Sequence, residues 1–282
     1  MNYKTQALDT TIEAEKIQFQ IWRRLSLEQK TQQVRSLQQR LRTILWKNIT
    51  QKLPQGDDRK RKQKLIELEQ GEDFIQIDQV LESNFMLQDP IELAALVGQI
   101  FDRLEIPYFV SGGLASSILG ETRTTVDADI AILMSDKRLI PQLIKIMQTD
   151  FYISEIAVED ALNDRTSSFN LIHLQSALKA NIYPIRDNDL FRQSAIARCQ
   201  KINLADSPEL SFNICTAEDI VLQKLIWYQT TGQISQKQWR DILGVLKLQG
   251  ERLDFQYMRY WSETLRIVQL LENAYDESGL NP

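Results

Sequence analysis

The stretch that decides the fold is residues 107–133, PYFVSGGLASSILGETRTTVDADIAIL. It parses as strand, glycine turn, short helix, loop and second strand. Tyr108, Phe109 and Val110 are a β-prone run that leads into the turn. Gly112 and Gly113 let the backbone approach a ligand closely. A helix opening just behind them points free N–H groups into the turn, a natural place for a phosphate. On the second strand Asp127 and Asp129 are two apart, so both carboxylates leave the same face. Their Cα atoms are expected roughly 6.5–7 Å apart. Two carboxylates converging on one point suit a hard cation such as magnesium. Taken singly, Asp-x-Asp is often only a polar strand end and Gly-Gly only a turn. The reading rests on their order and spacing between two strands.

Outward from this stretch, the chain is helical before it and mixed after it. Residues 1–85 show no clear strand. Ile12, Ile17, Phe19, Ile21, Trp22 and Leu25 form an apolar stripe with some slippage. Ser26 with Gln29 resembles a capping box, and Leu27, Val34, Leu37, Leu41, Leu45 and Ile49 recur behind it at helical spacing. Asp89 and Pro90 mark a helix start. After the Asp pair, 136–149 reads as a helix interrupted near Pro141. Residues 151–158, 169–174, 178–183 and 209–214 read as strands, and 189–198 as helical. Thr216 with Asp219 caps a helix running to Tyr228, and further helices follow around 235–248 and 254–274. The expected class is α+β: a mixed-sheet core over 86–205, a helical C-terminal part over 206–282, and an all-α N-terminal extension over 1–85.

Composition narrows the chemistry. The chain has 282 residues, 43% hydrophobic and 25% charged, ordinary for a globular protein. No run approaches the roughly 18 apolar residues of a membrane span, and the N-terminus lacks an apolar signal core. Cys199 and Cys215 are the only cysteines, which fits a reducing compartment and a cytoplasmic location. The single histidine, His173, excludes His-rich zinc sites and leaves any Ser-His-Asp triad one residue to use. It lies in an alternating, strand-like run and reads as structural before it reads as part of a site. Chemistry should therefore run on carboxylates, lysine and metal. The net charge of −5 is uneven: residues 1–75 hold 15 Lys and Arg against 10 Asp and Glu, leaving about −10 on the rest. The densest basic run, Arg59 to Lys64, fits either a nucleic-acid backbone or a solvated helix start, and no aromatic residue interleaves it to stack bases.

The glycine turn followed by Asp-x-Asp resembles the nucleotidyltransferase superfamily, the DNA-polymerase-β-like fold, over roughly residues 90–275. The resemblance implies transfer of a nucleoside monophosphate from an NTP to an acceptor, RNA or protein among them. It implies that Gly112 and Gly113 shape a phosphate turn, that Ser111, Ser116, Ser117 or Arg123 contact phosphate, and that Asp127 and Asp129 bind magnesium, with two ions the family's pattern. A third carboxylate is expected on a later strand. The matching run is Lys179-Ala-Asn-Ile-Tyr-Pro184, and the residue at the acid position is Asn181. An amide carries no charge and cannot act as a general base. Asp187 and Asp189, just beyond, are the alternative acids, although their loop position argues against matching geometry. A second stretch, Glu218 to Trp227 followed by Gln238 to Ile242, resembles the helical half of abortive-infection nucleotidyltransferase toxins. There Lys224 would contact nucleotide phosphate and Asp241 would orient it. The alternative reading of that pair is an intramolecular ion pair.

Two rivals stand beside the enzyme. One is a catalytically weakened nucleotide-binding or toxin–antitoxin-type protein, suggested by Asn181. The other is an interaction protein that docks a partner or self-associates through its N-terminal helices, which could equally pack on the core as a structural extension. The five tryptophans, Trp22, Trp46, Trp227, Trp239 and Trp261, lie in helix-like stretches and read as core.

Overall fold

Capping and periodicity lay out the helices in chain order. The computed structural model describes residues 2–70, 77–86, 88–134, 136–204 and 207–282, with 207–209 described by backbone alone. Parts of the expected extension and core, including 71–76, lie outside the described residues. Helices α1 (Ile12–Trp22), α2 (Leu27–Lys52), α3 (Asp58–Gln70) and α4 (Asp78–Glu82) precede α5 (Pro90–Arg103). The Ser26–Gln29 capping box opens α2. Asp89 caps α5 by accepting from the N–H groups of Ile91 and Glu92 at 2.9 and 3.1 Å.

Then come β1 (Tyr108–Ser111), α6 (Gly112–Leu119) and β2 (Asp127–Ile132), as the decisive stretch predicts. A 3₁₀ turn at Lys137–Leu139 and α7 (Ile140–Met147) follow. Pro141 sits in the first turn of α7 and starts that helix instead of kinking a longer one. Beyond lie β3 (Phe151–Ile153), α8 (Glu155–Leu162), β4 (Phe169–His173), β5 (Lys179–Pro184), α9 (Leu190–Arg198), β6 (Gln200–Leu204) and β7 (Ser207–Ile214). The chain closes with α10 (Ala217–Thr230), α11 (Gln236–Gln249), α12 (Phe255–Thr264) and α13 (Val268–Ser278).

The fold is α+β. One sheet, in the order β3-β4-β5-β2-β1-β7-β6, is mixed: β1/β7 and β2/β5 run parallel and the other pairs antiparallel. The fully buried side chains of Ile91, Phe101, Leu114, Ile118, Ile130 and Ile132 join α5, α6 and β2 in one core, which continues into α10 and α11 through Val221, Leu225 and Ile242.

At four points the structure corrects or adds to the sequence reading. The strand expected over 151–158 ends at Ile153, because Ser154 caps α8 and Val158, Ala161 and Leu162 recur at helical spacing on its buried side. Strand β6 breaks its apolar pattern with Lys201 and Asn203 on an exposed side and was not expected. On α1 only Phe19 of the apolar stripe is buried, while Ile12, Ile17 and Ile21 are exposed. On α2 the buried face is largely polar: Lys30, Thr31, Val34, Arg35, Gln38 and Arg42 turn inward, and Leu37 is partly exposed. These polar groups are matched. Arg35 pairs with Asp89 at 3.0 Å, and Arg42 pairs with Glu69 at 2.8 Å while donating to the carbonyls of Gln88 and Ser176.

The basic run is consumed locally. Arg59 pairs with Asp78 and Glu82, Arg61 with Asp58 and Lys64 with Glu67, while buried Lys62 donates to the carbonyls of Leu81 and Ser83. That is the helix-surface reading of the run.

Candidate active site

Strand register assembles the site. β2 lies between β1 and β5, which sets Asp129 opposite both Ser111 and Asn181, and sets Asp127 opposite Lys179. Ala128 between the two acids is fully buried in the core, so the carboxylates share the other face, half-exposed. That face opens into a cleft of about 280 Å³ lined by Gly112, Gly113, Arg123, Tyr183, Lys224 and Trp227, among others.

The glycine turn and the Asp pair fit against each other. Gly112 has φ +61°, and a Cβ placed there would stand 1.9 Å from Oδ2 of Asp129. Only glycine satisfies both the left-handed backbone and that closeness. Gly112→Ala is therefore expected to cost about 1–3 kcal/mol of stability and to displace the Asp129 carboxylate. A thermal midpoint equal to wild type would contradict this. Behind Gly112, α6 begins with Ser111 at its N-cap, but the serine side chain makes no cap hydrogen bond. Its hydroxyl turns to Oε1 of Gln223 instead. The first-turn N–H groups of α6 are thus left without a side-chain cap at the edge of the cleft, as an anion requires.

Each carboxylate has a distinct set of partners. Asp129 Oδ1 accepts from Nδ2 of Asn181 at 2.9 Å. Asp127 Oδ2 lies 3.3 Å from Nζ of Lys179. Asp127 Oδ1 is buried and has no hydrogen-bond partner. An orphaned carboxylate oxygen beside a second carboxylate supplies hard oxygen donors, which fits a magnesium ion. Among the described residues no group of three His, Cys, Asp or Glu could hold a metal, and the residue opposite Asp129 on β5 is Asn181. Burial first, then the charges of Asp129 and Asp127, pushes the Tyr183 phenol up to about 12. It therefore stays a donor and is no base at neutral pH.

The remaining predicted residues divide. Arg123 donates to both oxygens of Asp241 at 2.6 and 2.7 Å. Lys224 sits 2.8 Å from the same carboxylate and donates to Gln238 at 2.8 Å. Burial pulls the Lys224 ammonium down, against the opposing pull of Asp241. Burial alone would raise the Asp241 carboxyl, but Arg123 and Lys224 outweigh it and hold it below the usual aspartate range. Lys224 and Arg123 line the cleft; Asp241 holds them from behind.

Ser116 and Ser117 are buried and do not line the cleft. Ser116 donates to the carbonyl of Gly112 and Ser117 to that of Arg123, each at 2.6 Å. Asp189 caps α9 and pairs with Arg192. His173 is buried at the end of β4, a strand separated from β2 and its Asp pair by β5, with Nδ1 2.8 Å from the Ser176 hydroxyl.

Sequence reasoning missed Tyr183, Gln223 and Lys179, and placed Trp227 in the core. Trp227 is 49% exposed because α10 buries the side carrying Val221, Leu222 and Leu225 and turns the tryptophan to the cleft. Tyr183 had a readable signal: it lies two residues beyond Asn181 on the same strand face. Tyr183, Arg192 and Trp227 also wall an adjoining groove of about 610 Å³ with Tyr260 and Leu190.

No family model matches the chain, and no curated protein matches it. Among solved structures, it is similar to an antigenic nucleotidyltransferase-like protein from Paracoccidioides brasiliensis at 17% identity, covering 67% of this chain and 93% of that one with a TM-score of 0.42. It is also similar to the antibiotic-resistance factor ANT(2'')-Ia at 11% identity, covering 66% of this chain and 97% of that one with a TM-score of 0.43. A Thermotoga maritima CCA-adding enzyme complexed with tRNA matches at 14% identity over 69% of this chain and 56% of its own, with a TM-score of 0.29.

Proposed function

We propose that this chain is a magnesium-dependent nucleotidyltransferase of the cytoplasm, moving a nucleoside monophosphate from an NTP to a hydroxyl of an RNA or protein acceptor. The observation that supports it above the others is the contact between the Asp127–Asp129 pair and the glycine turn that opens α6. Carboxylates and uncapped N–H groups meet at one point, which is what a triphosphate and its cation require together.

In this reading the NTP phosphates lie along Gly112, Gly113 and the start of α6, with Arg123 and Lys224 facing them across the cleft. Asp127 and Asp129 hold the magnesium, which when bound neutralises phosphate charge. The acceptor oxygen bonds to the α-phosphorus, the bond to the departing pyrophosphate breaks, and the hydroxyl proton is lost. Asp127 and Asp129 are the only carboxylates among the described residues lining the cleft, and Asn181 cannot take a proton. The proton therefore leaves to that pair or to water. The acceptor enters along the adjoining groove, past Trp227 and Tyr260. The resemblance to the abortive-infection toxins rests on the Lys224–Asp241 pair, and the exposed Ile12, Ile17 and Ile21 of α1 are the face a partner or second copy would use.

A second reading, nucleotide binding with little or no transfer, is favoured by Asn181, which stands beside Asp129 where an acid would be. The test is transfer of label from each α-labelled NTP, with magnesium, to cellular RNA or protein. Label is expected on an acceptor with wild type, and Asn181→Asp should raise the rate about tenfold or more. No label from either protein, with NTP binding intact, would establish the binding module instead.

A further inference from the structure

Strand β5 presents Lys179 and Asn181 to the two acids at matching register, Lys179 to Asp127 and Asn181 to Asp129. The four carboxylate oxygens then have four different surroundings. Asp127 Oδ2 faces an ammonium at 3.3 Å, and Asp129 Oδ1 accepts from an amide at 2.9 Å. Asp129 Oδ2 is packed against Gly112, and Asp127 Oδ1 is buried without a hydrogen-bond partner. The Lys179 backbone is held on both sides, by β2 and by β4 through its pairing with Ile172, so its stem starts from a fixed point inside the sheet.

The charge balance decides how many ions such a site accepts before nucleotide arrives. Asp127, Asp129 and Lys179 together leave a single negative charge, and the other charged side chains lining the cleft, Arg123, Arg192, Lys224 and Lys237, are all cations. One divalent ion reverses that charge; a second would add two positive charges with no third carboxylate to receive them. We infer, resting on the nucleotidyltransferase reading above, that Lys179 is a resident cation of the site, and that the site accepts one divalent ion, on the Asp127 Oδ1 side. The departure at Asn181 and the lysine two residues earlier are then one adaptation: an amide and a built-in ammonium in place of an acid and a second ion.

The test counts manganese ions bound by the nucleotide-free full chain, from the paramagnetic resonance signal of the free ion. Wild type is expected to bind no more than one. Lys179→Met is expected to tighten manganese binding about tenfold or more, since a unit charge a few ångströms away is removed from a half-buried site. Lys179→Gln should do the same if methionine disturbs the strand. Lys179→Met with Asn181→Asp should bind a second ion. Unchanged affinity in both lysine variants, or two ions in wild type, would overturn the inference while leaving the nucleotidyltransferase reading intact. No manganese in any variant, or binding that survives Asp127→Asn with Asp129→Asn, would overturn the reading itself and the inference with it.

Discussion

Replacing Asp127 and Asp129 together by asparagine is expected to lower nucleotidyl transfer by roughly 10³-fold or more while the protein stays folded. The size follows from the role proposed for the pair. Both negative charges on one face of β2 disappear, and with them any charge-based hold on a divalent ion beside the triphosphate. Stability should move little, because neither side chain supports the core: Ala128 and Ile130 fill the buried side of the strand, and both acids face the cleft. The charge partner left behind, Lys179, is 25% exposed and can be solvated. Asn181 and Gly112 can contact an amide as they contact a carboxylate. The measurement is label transfer beside a thermal melt of the same preparation. Transfer within tenfold of wild type, in a protein that melts normally, would remove the Asp pair from the mechanism.

Asp241→Ala is expected to cost about 3–5 kcal/mol of folding stability. The carboxylate is buried and receives three short contacts, two from Arg123 and one from Lys224. Without it, Lys224, also buried, keeps only the Gln238 amide oxygen as a hydrogen-bond partner and faces Arg123 with no carboxylate between them. The network joins α10, α11 and the loop before β2, so its loss loosens the C-terminal helices from the core. Denaturant unfolding measures it. Adding Lys224→Met to Asp241→Ala should restore much of the loss, because the orphaned charge is then gone. A loss below about 1 kcal/mol for the single variant would show that water reaches the pair, as at an exposed ion pair. The pH dependence has a definite sign. Since Asp241 titrates below its unfolded value, its contribution is complete above the usual aspartate range and fades as pH falls through the folded value. Wild type and variant should therefore converge in acid.

The decisive stretch was legible because its signals are local. A β-prone run, two glycines and an i, i+2 acid pair each depend on neighbours within a few residues, and β1, α6 and β2 form where they read. Asp89, Ser26 and Thr216 were legible for the same reason: a cap is a contact across three residues. Position 181 came from the family resemblance, not from a local signal, and the sheet register pairs Asn181 with Asp129. The partners of the acids were not legible. Lys179 becomes significant only when β5 lies beside β2, a contact across some fifty residues. Trp227 looked like core because tryptophan in a helix usually is, and only the burial of Val221 and Leu225 shows which side of α10 is left for the cleft. The buried side of helix α2 was not legible for a related reason. Its apolar residues recur at helical spacing, but buried arginines carry their own partners, and those partners come from α3, the start of α5 and the segment before β5.

That polar face of α2 bears on how the chain can be divided. Arg42 reaches Glu69, Gln88 and Ser176 at once, and Ser176 lies three residues ahead of Lys179. Asp89, fully buried, spends one oxygen capping α5 and the other on Arg35 and Gln39. Cutting the chain near residue 85 would leave a buried carboxylate facing no cation and free the carbonyls just ahead of β5. The first eighty-five residues are thus not a detachable accessory but a missing wall whenever they are absent. Loss of nucleotide binding in a shortened chain would report a collapsed support, not a nucleotide site that had belonged to the extension.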